Sequence, residues 1–487
     1  MDSTLSPHCP ARARTNEMYS ITFTEASPAS FFEKLFTTIR ELFVRISLKS
    51  LYHAWSIGTQ NDLSKTFARA WKPGSFVTKC PMPIGTVYLT ADANVIRTVL
   101  QNPRKDKEGL FYDHENKRLF VEGILTDIFP EDVKKYGVDS VADMIVISAD
   151  AEKIKSMRAP LLNSLGAASV KDYIPQLNSI ANNILDVMSN AEKENCNAEE
   201  LAFEFAITVI SKFITGYETN RQNYKLFANA LNAISKRMSR IISRRPATEA
   251  EKLELQQAIS IIRNVIDDNI NSEHPSSYIS KLKVLGWNDF QIRISLFFNY
   301  FAGTETTAGS INYLLWELGK PKHQHFVTAL RQPDGGDVFL HKLVTEALRL
   351  HPPAFIEGRQ FRCDTNLEIR DKAGKLIKQM KMLKGYSIVC LTQVLALDPD
   401  LFVNPQEFNP HRFDHLPSQL PWLPFGAGTH VCPGQYLALT ELRTLIPCIV
   451  KKFDIETLYP KDKTDQSGFL TLRATPALIK LKPKRGM

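Results

Sequence analysis

The sequence predicts a mainly α-helical fold with small satellite β-sheets. Helical periodicity runs with few breaks from about residue 130 to residue 320. Short β-rich runs with turn signals occur in two places far apart in the chain, 76–98 and 355–392. With 487 residues, 44% of them hydrophobic, the chain can bury a large core without disulfide or metal staples. Few strands at two distant places, set among many helices, make small sheets beside a helical body rather than a central sheet.

In chain order, residues 1–28 read as a loosely ordered leader. From Ser30 onward Phe31, Phe32, Leu35, Phe36, Ile39, Leu42, Phe43 and Ile46 recur at helical spacing, with Lys34, Arg40, Arg45 and Lys49 between them. This is an amphipathic basic helix over 30–49, which docks either on its own globular body or on a membrane surface. We divide the chain into this N-terminal part, 1–54, and one domain over 55–487. The run Gly85–Thr90 is the clearest strand of the first β-rich region, and a charged loop lies around 244–251. A long helix is capped at its start by Asn288 or Asp289 and stopped by Gly319, Lys320 and Pro321. Its roughly 45 Å would cross a whole domain. A further helix opens near Gln435, and no internal repeat or low-complexity tract occurs.

Composition narrows the function classes. The net charge of +8 is modest for this length. It favours an acidic electron-transfer protein or an anionic surface as partner and is too weak to argue for nucleic acid. The cysteines at 9, 80, 196, 363, 390, 432 and 448 form no C-x-x-C pair and are odd in number, which argues against a disulfide framework or a zinc site and for a reducing compartment. No apolar run is long enough for a transmembrane anchor, and the N-terminal residues lack the apolar stretch of a signal peptide. The expected location is therefore cytoplasmic, with peripheral membrane contact through 30–49 left open.

Three motifs carry chemistry. The first runs Phe425-Gly426-Ala427-Gly428-Thr429-His430-Val431-Cys432-Pro433-Gly434. A thiolate that ligates a metal needs backbone N–H groups aimed at its sulfur, and glycines let the backbone turn sharply and come that close. The helix starting after Pro433 adds the positive end of its dipole. The bland reading is an inert cysteine in a glycine-rich turn.

The second motif is Glu346-Ala347-Leu348-Arg349, followed by Leu350-His351-Pro352-Pro353, with Phe408-Asn409-Pro410-His411-Arg412-Phe413 downstream. Glu346 and Arg349 share a helix face and can pair, and in isolation such a pair is usually a solvated surface contact. The third, Ala302-Gly303-Thr304-Glu305-Thr306-Thr307, sits in the middle of the long helix. A mid-helix glycine costs up to about 1 kcal/mol against alanine, so Gly303 calls for a reason, and room for a small ligand is one. Thr306 and Glu305 are then an alcohol and an acid placed to handle protons. The alternative is that Glu305 faces solvent and Thr306 bonds its own i−4 carbonyl.

Together these segments resemble the cytochromes P-450, over roughly residues 55–483. Phe425, Gly428, Cys432 and Gly434 match the family's F-x-x-G-x-x-x-C-x-G ligand loop. Glu346 and Arg349 match E-x-x-R, Arg412 matches the arginine of F-x-P-x-R-F, and 302–307 match A-G-x-[DE]-T-T. The resemblance implies a single triangular domain holding haem b (iron protoporphyrin IX), with Cys432 as the axial ligand to iron. It further implies Glu346, Arg349 and Arg412 in a buried network behind the loop, and Thr306 and Glu305 as the catalytic pair. For the haem propionates it suggests Arg158, Arg359 and His430. Ile154 stands where the family's W-x-x-x-R segment has tryptophan, and His430 stands where many members have arginine. Arg359 reads equally as an ordinary strand arginine.

For the substrate pocket we expect Phe298 and Ala302 on the Thr306 face of the long helix, flanked by Phe301, with Ala354, Phe355 and Ile356 approaching from the side. Each reads equally as core packing. The implied activity is insertion of one oxygen atom from O2 into a lipophilic organic substrate. Electrons would come from a separate partner, a ferredoxin or a flavoprotein reductase, since no flavin or iron–sulfur motif occurs in the chain. Three other readings stand beside it: an enzyme that uses peroxide or rearranges hydroperoxides, a non-catalytic haem-thiolate sensor, and a structural helical protein carrying the motif by chance.

Overall fold

The computed structural model describes residues 19–25, 63–73, 75–82, 85–101, 111–112, 117–144, 151–190, 196–216, 224–243, 245–271, 274–275, 277–332, 336–361, 363–371, 373–414, 422–457, 465–468, 472–475 and 479–484. Numbered in chain order, the helices that frame the functional site are α1 (Ala93–Gln101), α2 (Ala151–Leu165), α3 (Ala167–Asn190), α4 (Ala198–Thr215), α5 (Tyr224–Ser243), α6 (Glu249–Asn271), α7 (Asp289–Leu318), α8 (Asp337–Leu350) and α9 (Gln435–Lys452). The strands are β1 (Tyr19–Glu25), β2 (Thr78–Met82), β3 (Gly85–Thr90), β4 (Phe111–Tyr112), β5 (Cys196–Asn197), β6 (Glu357–Phe361), β7 (Thr365–Asp371), β8 (Leu376–Met382), β9 (Ser387–Cys390), β10 (Phe453–Thr457), β11 (Asp465–Gly468), β12 (Leu472–Thr475) and β13 (Ile479–Pro483). The fold is mainly α with small sheets, as the periodicity predicts. The largest sheet has the order β2-β3-β9-β6-β4, and only β3 and β9 in it are parallel.

The central element is α7. Asn288 caps it with a full capping box: Gln291 N–H donates to Asn288 Oδ1 at 2.9 Å, and Asn288 N–H donates to Gln291 Oε1 at 3.0 Å. Its side chains are buried along nearly the whole length, as an apolar helix in the middle of a large domain must be. The helix stops at Gly319, whose φ is −75°, so no left-handed cap ends it. Glycine is needed there for space, because a Cβ would lie 2.4 Å from Thr457 Oγ1 and 2.9 Å from Thr457 N on β10.

Gly303 has a related explanation. A Cβ at that position would meet Ile210 Cδ1 of α4 at 3.1 Å, so the glycine lets α4 and α7 approach closely. The helix α4 is itself set by Asn197, which accepts from Glu199 N–H at 2.9 Å, and by Gly216 in the left-handed region at its end.

One expectation fails. Residues 19–25, read as part of a loose leader, form β1 and pair antiparallel with β7 from Tyr19↔Asp371 to Glu25↔Thr365. The alternation Ser20, Ile21, Thr22, Phe23, Thr24 is a strand pattern, and β7 otherwise presents an unpaired edge. The amphipathic segment 30–49 lies outside the described residues.

The network predicted from Glu346 is assembled where α8 meets the segment after β9. Glu346 and Arg349 both have no exposed surface. Arg349 donates Nε to Glu346 Oε2 at 2.7 Å and Nη2 to Oε1 at 2.9 Å. Arg412 Nε and Asn409 N–H each reach Oε1 at 2.9 Å. Arg349 Nη1 continues to the carbonyls of Ala396 and Pro405, both at 2.7 Å. The solvated-pair reading therefore does not hold: a bidentate, charge-assisted pair is sealed inside and its remaining donors are used.

Removing one member leaves the other ion buried and alone. We expect Glu346→Ala to lower folding stability by about 3–5 kcal/mol. The measurement is the denaturant midpoint, and an unchanged midpoint would show that the pair contributes nothing.

Candidate functional site

The ligand loop is shaped by its two left-handed glycines, Gly426 and Gly428, both at φ 70°. A Cβ on Gly428 would lie 2.4 Å from the carbonyl oxygen of Leu100 on α1, so the loop is pressed against the end of that helix. Cys432 N–H donates to Phe425 O at 2.8 Å and closes the loop on itself. Arg158 of α2 is buried and grips the far side, donating Nη1 to Thr429 O at 2.7 Å and Nη2 to Val431 O. The loop is thus held in shape by backbone geometry and by one guanidinium.

Opposite it runs the middle of α7. Between them lies a cavity of about 330 Å³. Ala302, Gly303 and Thr306 line one wall, and Phe425, His430, Cys432 and Gly434 line the other. Leu161, Leu165, Ile210, Leu437 and Leu442 make much of the rest apolar. Burial pushes the Cys432 thiol up. The Gly434 N–H directed at its sulfur and the nearby Arg158 pull it down, and Glu357 pushes it up. With burial the largest influence, the sulfur needs a cation beside it to stay a thiolate.

The other predicted residues are placed as follows. Thr306 is on the wall, and its hydroxyl donates to Ala302 O at 2.6 Å, the i−4 bond weighed in the sequence. Glu305 is buried, pointing neither to solvent nor to the cavity, and accepts from Ser235 Oγ of α5 at 3.1 and 3.3 Å. Arg359 is buried on β6 beside Arg158, rather than standing on a strand surface.

Of the six pocket candidates, Ala302 and Ala354 line the cavity. Phe298, Phe301, Phe355 and Ile356 do not, and belong to the packed interior or its edge. Eight residues along a helix turn through about 800°, so Phe298 is rotated some 80° from Thr306. It instead packs edge-on against Phe297, with ring centroids 5.5 Å apart, while Phe301 stacks on the same ring at 6.0 Å.

Sequence reasoning missed two carboxyls on this wall, Glu357 and Glu441. Glu357 stands two residues before Arg359 and so shares its strand face, a period-2 signal that was available. Glu441 lies seven residues after Gly434, two helical turns into α9, which was a usable spacing too. It is buried and accepts from Thr307 Oγ1 at 3.2 Å, and burial pushes its carboxyl up to about 8.

The cavity fits a flat, apolar ring system carrying acidic groups. Arg158 Nε and Arg359 Nη2 are buried with no hydrogen-bond partner, which is what two guanidiniums awaiting anions look like. Among the described residues no cluster of three or more His, Cys, Asp or Glu could hold a metal, and Cys432 supplies the sulfur on the cavity wall.

Comparison with known proteins agrees with this geometry. The sequence profile described as Cytochrome P450 matches residues 338–481, which include the Glu346 network and the ligand loop. Cytochrome P450 9c1 of Drosophila melanogaster is 31% identical over 196 residues, 36% of this chain and 36% of that protein. Cytochrome P450 4V2 of Homo sapiens is 31% identical over 203 residues, 37% of this chain and 36% of that protein. Over residues 338–481 the chain is similar to the cytochrome P450 family. A bacterial relative, the sterol 14alpha-demethylase of Mycolicibacterium vanbaalenii, is 27% identical over 204 residues, 37% of this chain and 42% of that protein. The matched stretch spans under half the length of each of these P450 relatives.

Glu441 gives the site a pH signature. A carboxyl raised to about 8 in the folded protein stabilises the fold fully below its unfolded value, and that contribution is lost as pH rises through about 8. We expect the melting temperature to fall across this interval and Glu441→Gln to flatten the fall. Parallel pH curves for the two proteins would remove Glu441 as the cause.

Proposed function

We propose that this chain is a cytochrome P450, a haem-thiolate monooxygenase that inserts one atom of O2 into a lipophilic organic substrate. One observation carries the reading: Cys432 stands on the wall of an apolar cavity directly across from Ala302, Gly303 and Thr306. Haem b bound there would be held by the Cys432 sulfur and would supply the O2-activating redox chemistry. Arg158, Arg359 and His430 would hold its propionates. Electrons come from a separate ferredoxin or flavoprotein reductase.

The chain's own residues then have defined tasks. The loop holds Cys432 with its sulfur facing a Gly434 N–H, which favours the anion. Thr306 presents Oγ1 to the cavity while its proton is engaged by Ala302 O, so it accepts a hydrogen bond from the cavity side. Glu305, one residue away, is turned onto Ser235 of α5, so to resupply the proton as an acid its side chain would have to swing from α5 toward the cavity. Leu161, Leu165, Ile210 and Ala354 exclude water and favour an apolar substrate.

The haem domain covers 55–487 in this reading, and the segment 30–49 gives peripheral contact with a membrane on the cytoplasmic side. No helix among the described residues is long and apolar enough to cross a membrane.

Two substitutions test the proposal. Cys432→Ala should abolish the red-shifted absorption of the reduced carbon monoxide complex, and retention of that band would mean another residue is the ligand. Thr306→Ala should bind substrate with a normal spectral shift but lose about tenfold or more of its product formed per electron pair, releasing hydrogen peroxide instead. Unchanged coupling would favour the peroxide-using or rearranging enzyme, which has no such step to protect. Absence of any turnover with a haem-loaded wild type would favour the sensor.

A further inference from the structure

Strand β6 carries two charged side chains near one end of the cavity, Glu357 on its lining and Arg359 buried beside Glu357, and only Arg359 has a role in the reading above. Arg359 is buried, donates Nη1 to Gly358 O at 2.8 Å, and has Nη2 without a hydrogen bond. Glu357, on the same face, lines the cavity, and among the described residues its carboxylate makes no hydrogen bond. Its closest opposite charge is that same Arg359 Nη2, 3.8 Å from Oε2. Gly426 makes the approach possible, because a Cβ there would meet the Glu357 oxygens at 3.0 and 3.1 Å. The remaining ionisable groups that bear on this end are Cys390, paired with Glu357 across β9, Cys432 of the loop, and Arg158 of α2. Burial pushes the Glu357 carboxyl up against the pull of Arg359.

We propose, resting on the haem reading, that Glu357 shares the Arg359 guanidinium with a haem propionate and so weakens the haem anchor and lowers the iron's affinity for an electron. A carboxylate next to a propionate is a like charge in a poorly solvated place, and it offsets part of the attraction Arg359 exerts. The same negative charge, close enough to act on Cys432, favours the ferric over the ferrous state. Glu357 is in this sense a positioning and tuning residue, acting on the propionate that Arg359 holds, and Arg158 and His430 remain as the undivided anchors.

The test uses the haem-loaded full chain and two readouts other than turnover: transfer of haem to apomyoglobin, and the midpoint potential by spectroelectrochemical titration. Glu357→Gln keeps the shape and removes the charge. It should release haem roughly three- to fivefold more slowly, the range of a partly exposed charge pair, and show a more positive midpoint. Glu357→Asp, which retains the charge on a shorter stem, should fall between the two, and serves if the Gln variant does not fold. In an Arg359→Gln background the effect of Glu357→Gln on haem release should grow, since Glu357 then repels the propionate with no guanidinium shared between them. Equal release rates and equal midpoints in wild type and Glu357→Gln would overturn the proposal while leaving the haem reading intact. A wild type that takes up no haem would overturn the haem reading itself.

Discussion

Glu346 accepts four hydrogen bonds with no exposure to water, from Arg349 twice, from Arg412 and from the Asn409 backbone. These donors come from α8 and from the segment around 409–412, which leads on to the ligand loop. Arg349 adds bonds to Ala396, at the end of a short helix, and to Pro405, so these separate pieces of chain are fastened to α8 through one buried charge network. Such a pair is stable only when every donor and acceptor is matched, because the low dielectric that strengthens the bonds also penalises a missing one. The network thus fixes the chain at 396–412, the stretch that precedes the Cys432 loop in sequence.

The loop then adds its own constraints. Gly426 and Gly428 take backbone angles that side chains resist, and each accepts a neighbour where a Cβ would sit: Glu357 in one case, the end of α1 in the other. Arg158 closes the arrangement by gripping two loop carbonyls from α2. Across the cavity, α7 is held by close packing on α4 at Gly303 and on β10 at Gly319. Both walls are therefore fixed by close backbone contacts, some of them on the cavity lining itself, and the space between them is what remains.

Three carboxyls near that space have different fates, and their surroundings explain the differences. Glu441 has only a neutral hydroxyl as partner, and burial raises its carboxyl to about 8. Glu357 has a guanidinium at 3.8 Å, which offsets part of the same burial effect. Glu305 is turned away onto Ser235 of α5, coupling the middle of α7 to the helix above it. Chemically identical groups thus present a neutral acid, a shared counter-charge and a helix-to-helix link.

Local order determined what could be read from the chain alone. The helix of Asn288–Gly319, the strand runs near 85–90 and 357–390, the cysteine loop and the Glu346-x-x-Arg349 pair are all short-range patterns. They can be located without knowledge of neighbours, although the burial of the Glu346 pair could not be read that way. The tertiary structure decided what depends on contacts far apart in sequence. It assigned 19–25 to a sheet edge more than 340 residues away, rotated Phe298 off the cavity face, and turned Glu305 toward α5. It also brought Glu357 up to Arg359 and the ligand loop. Periodicity specifies which face of an element is apolar, whereas which apolar face meets a cavity, and which buried charge finds a partner, is set only when the elements pack.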